Sequence, residues 1–151
     1  MYGVFLFLHN FFRWVVLLLA VIALYRAFSG WLQQKAWSEL DRKTGVFFGI
    51  ALDIQLLLGL ILYFVLSPFA LKAFMSQGMA FVMGSSEFRF YAVEHFLIMG
   101  MAVVFAHLGS ILPKKVQSAA AKHQRAAIFF GLAVLMILLG IPWGRPLFPS
   151  F

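Results

Sequence analysis

Four runs of sixteen to twenty-five mostly apolar residues, at 4–28, 45–66, 90–112 and 126–141, constrain this chain more than any other feature. A helix rising about 1.5 Å per residue needs roughly twenty such residues to cross a hydrocarbon core of about 30 Å. No water reaches the backbone there, so each run must satisfy its own hydrogen bonds as a helix. Of 151 residues, 64% are hydrophobic and only 11% charged, and the stretches between the runs are too short for a separate soluble domain. The expected fold is all-α and integral to a membrane: one domain over residues 1–151, a four-transmembrane-helix up-down bundle.

Charge orients it. The net charge is +7, yet eight of the twelve Lys and Arg residues flank two connections: Arg26, Lys35, Arg42 and Lys43 the first, Lys114, Lys115, Lys122 and Arg125 the third. Basic loops face the cytoplasm, so both termini and the second connection are expected outside. The same placement assigns the charge to topology and to anionic lipid, and gives no reason to expect a nucleic-acid partner. Without cysteine there is no disulfide, thiolate metal site or thiol-redox chemistry, and a redox role needs a cofactor. The first run lacks a basic leader and carries His9, Asn10 and Arg13, so it reads as a retained helix.

Capping signals refine the connections. Ser38-Glu39-Leu40-Asp41 fits a helix cap ahead of the second run, though a solvated interfacial turn is the favoured reading there, and 118–125 should extend the fourth run into the cytoplasm, with its other end at Gly140-Ile-Pro142-Trp143. In the longest connection, Ser67-Pro68 reads as a helix start and Gly78 as a stop. Leu71, Phe74 and Met75 recur at helical spacing between them. A short amphipathic helix on the outer surface between spans two and three is expected there.

Ionisable groups inside apolar spans cost about 2.5–3.5 kcal/mol each on insertion scales, so those present are functional candidates. His9 and His95 each lie about five residues into spans that run in the same direction, which sets two imidazoles at similar depth. Two histidines from different helices at one depth suit a b-type haem, whose iron takes one axial nitrogen on each face. His9 and His95 are then the candidate iron ligands. Arg13 and Arg89 are candidates for the anionic propionates, and Glu94 for a supporting hydrogen bond. A cofactor-free cluster is the competing reading, with Glu94 or Asn10 satisfying the imidazoles and Arg13. Arg13 also fits as a side chain reaching toward the headgroups beside Trp14.

His107 lies twelve residues past His95 and is turned about 120° from it. Stacked haem ligands on one helix face need about fourteen residues, so the spacing does not describe two haems cleanly. His107 instead shares its depth with Asp53 on the antiparallel second span. Such a pair fits a proton relay or a quinone contact, and equally a structural ion pair. His123, among lysines, reads as solvated, and Gly45 with Gly49 as a site of close helix approach.

Taken together, His9-Asn-Phe-Phe-Arg13-Trp14, Asp53-Ile-Gln55-Leu-Leu-Leu-Gly59, Val93-Glu94-His95, Ala106-His107-Leu-Gly109 and Gly140-Ile-Pro142-Trp143 resemble a family of small four-span bacterial membrane proteins loosely called cytochrome-b-like. The resemblance implies a bacterial cytoplasmic (inner) membrane, haem b, and an electron-transport setting with His9, His95 and His107 as positions of interest. The leading expectation is a membrane b-type cytochrome or electron-transfer subunit that binds haem between spans one and three and exchanges electrons with quinol. Its partners would be lipids and other membrane subunits or a redox protein. Two alternatives stand beside it: a non-redox accessory subunit of a larger complex, suggested by the uniformly apolar fourth span, and a quinone- or lipid-headgroup-binding protein. No catalytic residue is assigned, and whether the chain is an enzyme is left open.

Overall fold

The computed structural model describes residues 1–145. Four helices are long and apolar enough to cross a membrane, and the described residues contain no strand. In chain order the elements are α1 (Tyr2–Leu32), α2 (Glu39–Ile61), a wider π turn (Leu62–Leu66), α3 (Leu71–Gln77), α4 (Met79–Gly84) and α5 (Ser86–Arg89). A second π turn (Phe90–Glu94), α6 (His95–Ile111), a 3₁₀ turn (Leu112–Lys115) and α7 (Ala119–Gly140) follow.

Local chemistry sets the helix starts. Ser38 Oγ accepts from the Asp41 amide at 3.2 Å while the Ser38 amide donates to Asp41 Oδ2 at 2.8 Å, a reciprocal cap that begins α2 ahead of the apolar run. Arg26 then ties that cap to the end of α1, its Nε donating to Asp41 Oδ1 at 2.9 Å. Ser118 caps α7 through the Ala121 amide at 3.2 Å. α7 stops at Gly140 because Pro142, two residues on, cannot continue it.

The connection before α6 is richer than one amphipathic helix. α3 does end at Gly78, whose φ of +84° is readily adopted only without a Cβ. Ser67 and Pro68, however, lie ahead of α3 and do not form its first turn: Ser67 closes the π turn through Leu62 O at 2.7 Å. Two further short helices follow, and Ala73 and Val82 bury themselves against Ala92 of the second π turn.

The interior is built from small residues. Ala20, Ala23 and Ala27 of α1, Ala102 and Ala106 of α6, and Ala126, Ala127 and Ala133 of α7 are buried, whereas Leu18, Val21, Leu57, Leu97 and Leu139 are exposed. That inversion suits lipid, which is as apolar as leucine and leaves close packing to hold helices together. α1 packs on α2 and α7, and α6 on α7 and α2, which makes a ring of four. Gly45 and Gly109 form the socket for the Phe130 ring: a Cβ at either position would run into it. Glycine here admits a side chain from a third helix, where the sequence suggested backbone approach.

Candidate functional site

A cavity of about 600 Å³ opens among α1, α2, α6 and the end of α7. α1 contributes His9 and Arg13, α2 Gln55 and Gly59, and α6 His95. The His9 and His95 ring centroids lie 6.2 Å apart with the planes at 65°. Thus the two imidazoles that the sequence set at one depth are brought together.

Their surroundings fix how each ring can act. His95 Nδ1 lies 2.7 Å from the carbonyl oxygen of Gly140. A carbonyl only accepts, so Nδ1 carries the hydrogen and Nε2 keeps its lone pair. That carbonyl belongs to the last turn of α7, where no helical amide is available to it. A side chain on Gly140 would collide with Met99, so glycine lets α6 and α7 close to this distance. His9 rests over Gly59, its Cε1 3.4 Å from where a Cβ would stand. Gln55 Nε2 donates to the His9 carbonyl at 2.9 Å, which ties α2 to α1. His9 Nδ1 and Gln55 Oε1 are buried without a hydrogen-bond partner among the described residues. Buried polar atoms of this kind are few in native folds; Ser110 Oγ and His123 Nδ1, away from this cavity, share the condition.

The two π turns frame one side of the cavity. Tyr63, in the first, donates from its hydroxyl to the carbonyl oxygen of Ala92, in the second, at 2.9 Å. π turns inside helices recur at functional sites because the extra residue per turn displaces side chains from regular register. Here the second one immediately precedes His95.

Arg89 and Glu94 are placed elsewhere. Arg89 Nε donates to Glu94 Oε1 at 2.7 Å, and Arg89 Nη1 to the Met83 carbonyl at 3.1 Å. Neither residue lines the cavity. The second arginine in its wall is Arg145, which sequence reasoning passed over because it lies beyond the last span.

Asp53 and His107 do meet: His107 Nε2 lies 2.8 Å from Asp53 Oδ1. The pair sits apart from the cavity, between α2 and α6, and its side chains remain 46% and 43% exposed respectively. Gly49 makes room for the imidazole, 3.5 Å from the Cβ position to Cε1.

His123 contradicts its solvated reading. It is only 1% exposed, its ring 4.8 Å from that of Trp37 and pressed into the space that Gly30 leaves on α1. The available signal was Gly30 itself, since glycine inside a helix costs about 1 kcal/mol against alanine and often marks close packing.

Among the described residues no three or more His, Cys, Asp or Glu side chains converge on a point that could hold a bare metal ion. A macrocycle supplies most of an iron's ligands itself and asks the protein for two, which is the number of imidazoles here. No family model, curated protein or solved structure matches this sequence.

Proposed function

We propose that this chain is a multi-pass membrane b-type cytochrome or electron-transfer subunit of the cytochrome-b-like kind, with haem b held between His9 and His95. The carrying observation is the imidazole pair at one end of an amphiphilic cavity. Metal–imidazole bonds are about 2 Å and a ring nitrogen lies about 1 Å from the ring centre, so imidazoles on opposite faces of one metal have centroids about 6 Å apart. The 6.2 Å separation fits that requirement, and rotation about the ligand axis accommodates a 65° interplanar angle. The volume falls within the roughly 300–1,000 Å³ typical of cofactor pockets. Haem supplies one-electron chemistry when bound. The chain's own residues do the rest: Gly140 orients His95, Gly59 admits the His9 ring, and Tyr63 and Tyr91 of the π turns line the pocket.

In this reading the helices form an up-down bundle in a bacterial cytoplasmic membrane with both termini outside, supported by the basic residues at the α1–α2 and α6–α7 connections. The haem edge would then lie near the outer surface, within reach of a redox partner. The test is the visible spectrum of the detergent-purified full chain. A Soret band and a reduced-minus-oxidised α-band are expected, and both should vanish in His9→Ala and His95→Ala without loss of helical content. Wild-type protein reconstituted with haem that shows neither band would sink the proposal.

A second role rests on the half-exposed Asp53–His107 pair. A hydrogen-bonded acid and imidazole facing lipid from a spanning segment suit the head of a quinol, for which they would accept protons. Asp53→Asn keeps the shape and removes the base. Quinol-driven haem reduction should fall at least tenfold while dithionite reduction and the spectrum stay unchanged. An unaltered quinol rate would assign the pair to packing.

A further inference from the structure

The cavity wall is mostly apolar, and its only charged residues among those described are Arg13 and Arg145; no Asp or Glu lines it. A cavity with cationic side chains and no acidic ones selects an amphiphile with a flat or elongated apolar body and an acidic edge. Arg13 sits a turn below His9 on α1. Arg145 stands at the opposite margin, beyond the end of α7.

Arg145 is held in place before any ligand arrives. Its amide donates to the Pro142 carbonyl at 3.1 Å, which turns the chain back over the bundle end. Its guanidinium stacks over the rings of Tyr91 and Phe69, 4.8 and 5.1 Å from their centroids. Glu87 accepts from Nη2, so one arm of the fork already faces a carboxylate. A guanidinium carries five N–H donors in a rigid plane, and the arms not used by Glu87 remain for a second acid group.

We propose that Arg145 is the acid-binding residue of this cavity, taking a carboxylate of the ligand at the mouth while the ligand's apolar body lies between the His9 and His95 walls. This rests on the haem reading, in which that carboxylate is a propionate. Arg145 thereby replaces Arg89, whose guanidinium is committed to Glu94 and the Met83 carbonyl away from the cavity.

The experiment titrates the full chain in detergent with iron protoporphyrin IX and with its dimethyl ester, which lacks the free carboxylates, and follows the Soret band. Taking the acid-to-ester affinity ratio for each variant cancels the ester's greater partition into micelles. Wild type should favour the acid, and Arg145→Gln should lower the ratio by about tenfold, the scale of one charge-assisted hydrogen-bonded pair. Arg89→Gln should leave the ratio unchanged, and Arg145→Lys should restore part of it. Glu87→Gln frees the fork and should hold or raise the ratio, an arm that does not depend on the Arg145 variants folding. An unchanged ratio in Arg145→Gln, a fall in Arg89→Gln, or a fall in Glu87→Gln overturns the assignment while leaving the haem reading intact. Failure of wild type to bind either porphyrin overturns both.

Discussion

Both ends of this bundle set an imidazole against a helix glycine, and they do opposite things with the arrangement. At the end carrying the basic connections, His123 fills the space over Gly30, lies tilted against Trp37 with ring centroids 4.8 Å apart, and is buried beside a smaller cavity of about 270 Å³. At the other end, a Cβ on Gly59 would just touch His9, and the ring looks onto a cavity of about 600 Å³. The difference lies in what surrounds the ring. Beside His123, the capped start of α2 and its Arg26–Asp41 ion pair at 2.8 Å draw α1 and α2 together. Beside His9 and His95, a π turn follows α2 and another leads into α6, and Leu62, Tyr63 and Tyr91 from them line the cavity. One imidazole is packed among side chains; the other pair faces an open cavity.

The comparison can be broken most forcefully at the histidines. His123→Ala should cost about 2–4 kcal/mol of stability, because it removes a buried ring packed against Gly30 and Trp37, and should leave the proposed haem binding of the folded fraction unchanged. Unfolding in mixed micelles against denaturant measures this. A His123→Ala protein of wild-type stability would show that the ring is not a packing element.

A smaller effect sharpens the contrast, because the same chemical change is made at both ends. Gly30→Ala forces a Cβ into the His123 ring and should destabilise by about 1–3 kcal/mol, the usual cost of overpacking. Gly59→Ala meets His9 only at 3.4 Å. Its contact cost should be offset by the roughly 0.5–1 kcal/mol that alanine gains over glycine in a helix, leaving stability within about 0.5 kcal/mol of wild type. Equal losses at the two positions would mean that the cavity end is packed as tightly as the other.

The legibility of these features differs residue by residue. The four spans, the stop at Gly78 and the end of α7 were readable because they depend on local periodicity and backbone chemistry; the Ser38 cap was legible only as the lesser alternative to a solvated turn, and the Ser118 cap not at all. The pairing of Asp53 with His107 was readable too, since depth in antiparallel helices follows from counting residues. Arg89, Glu94 and His123 were not, for one shared reason. Depth says nothing about azimuth, and which way a side chain points around a helix depends on how its neighbours pack. Arg89 turned toward Glu94, five residues along its own segment, while Arg145, far away in sequence, came to the cavity. The π turns carried no sequence signature, yet they alter the register of every residue after them.

By itself the sequence determined that this protein is helical and apolar enough to cross a membrane four times, because hydrocarbon leaves the backbone no alternative to the helix. It also determined the axial level of each polar group, because helical rise is nearly constant. Only the tertiary structure decided which of those groups meet. Glycines and alanines set how closely each pair of helices approaches, and the packing of the four helices sets how each is rotated, so that His9 and His95 share a cavity, Asp53 and His107 stay half-exposed together, and His123 is buried.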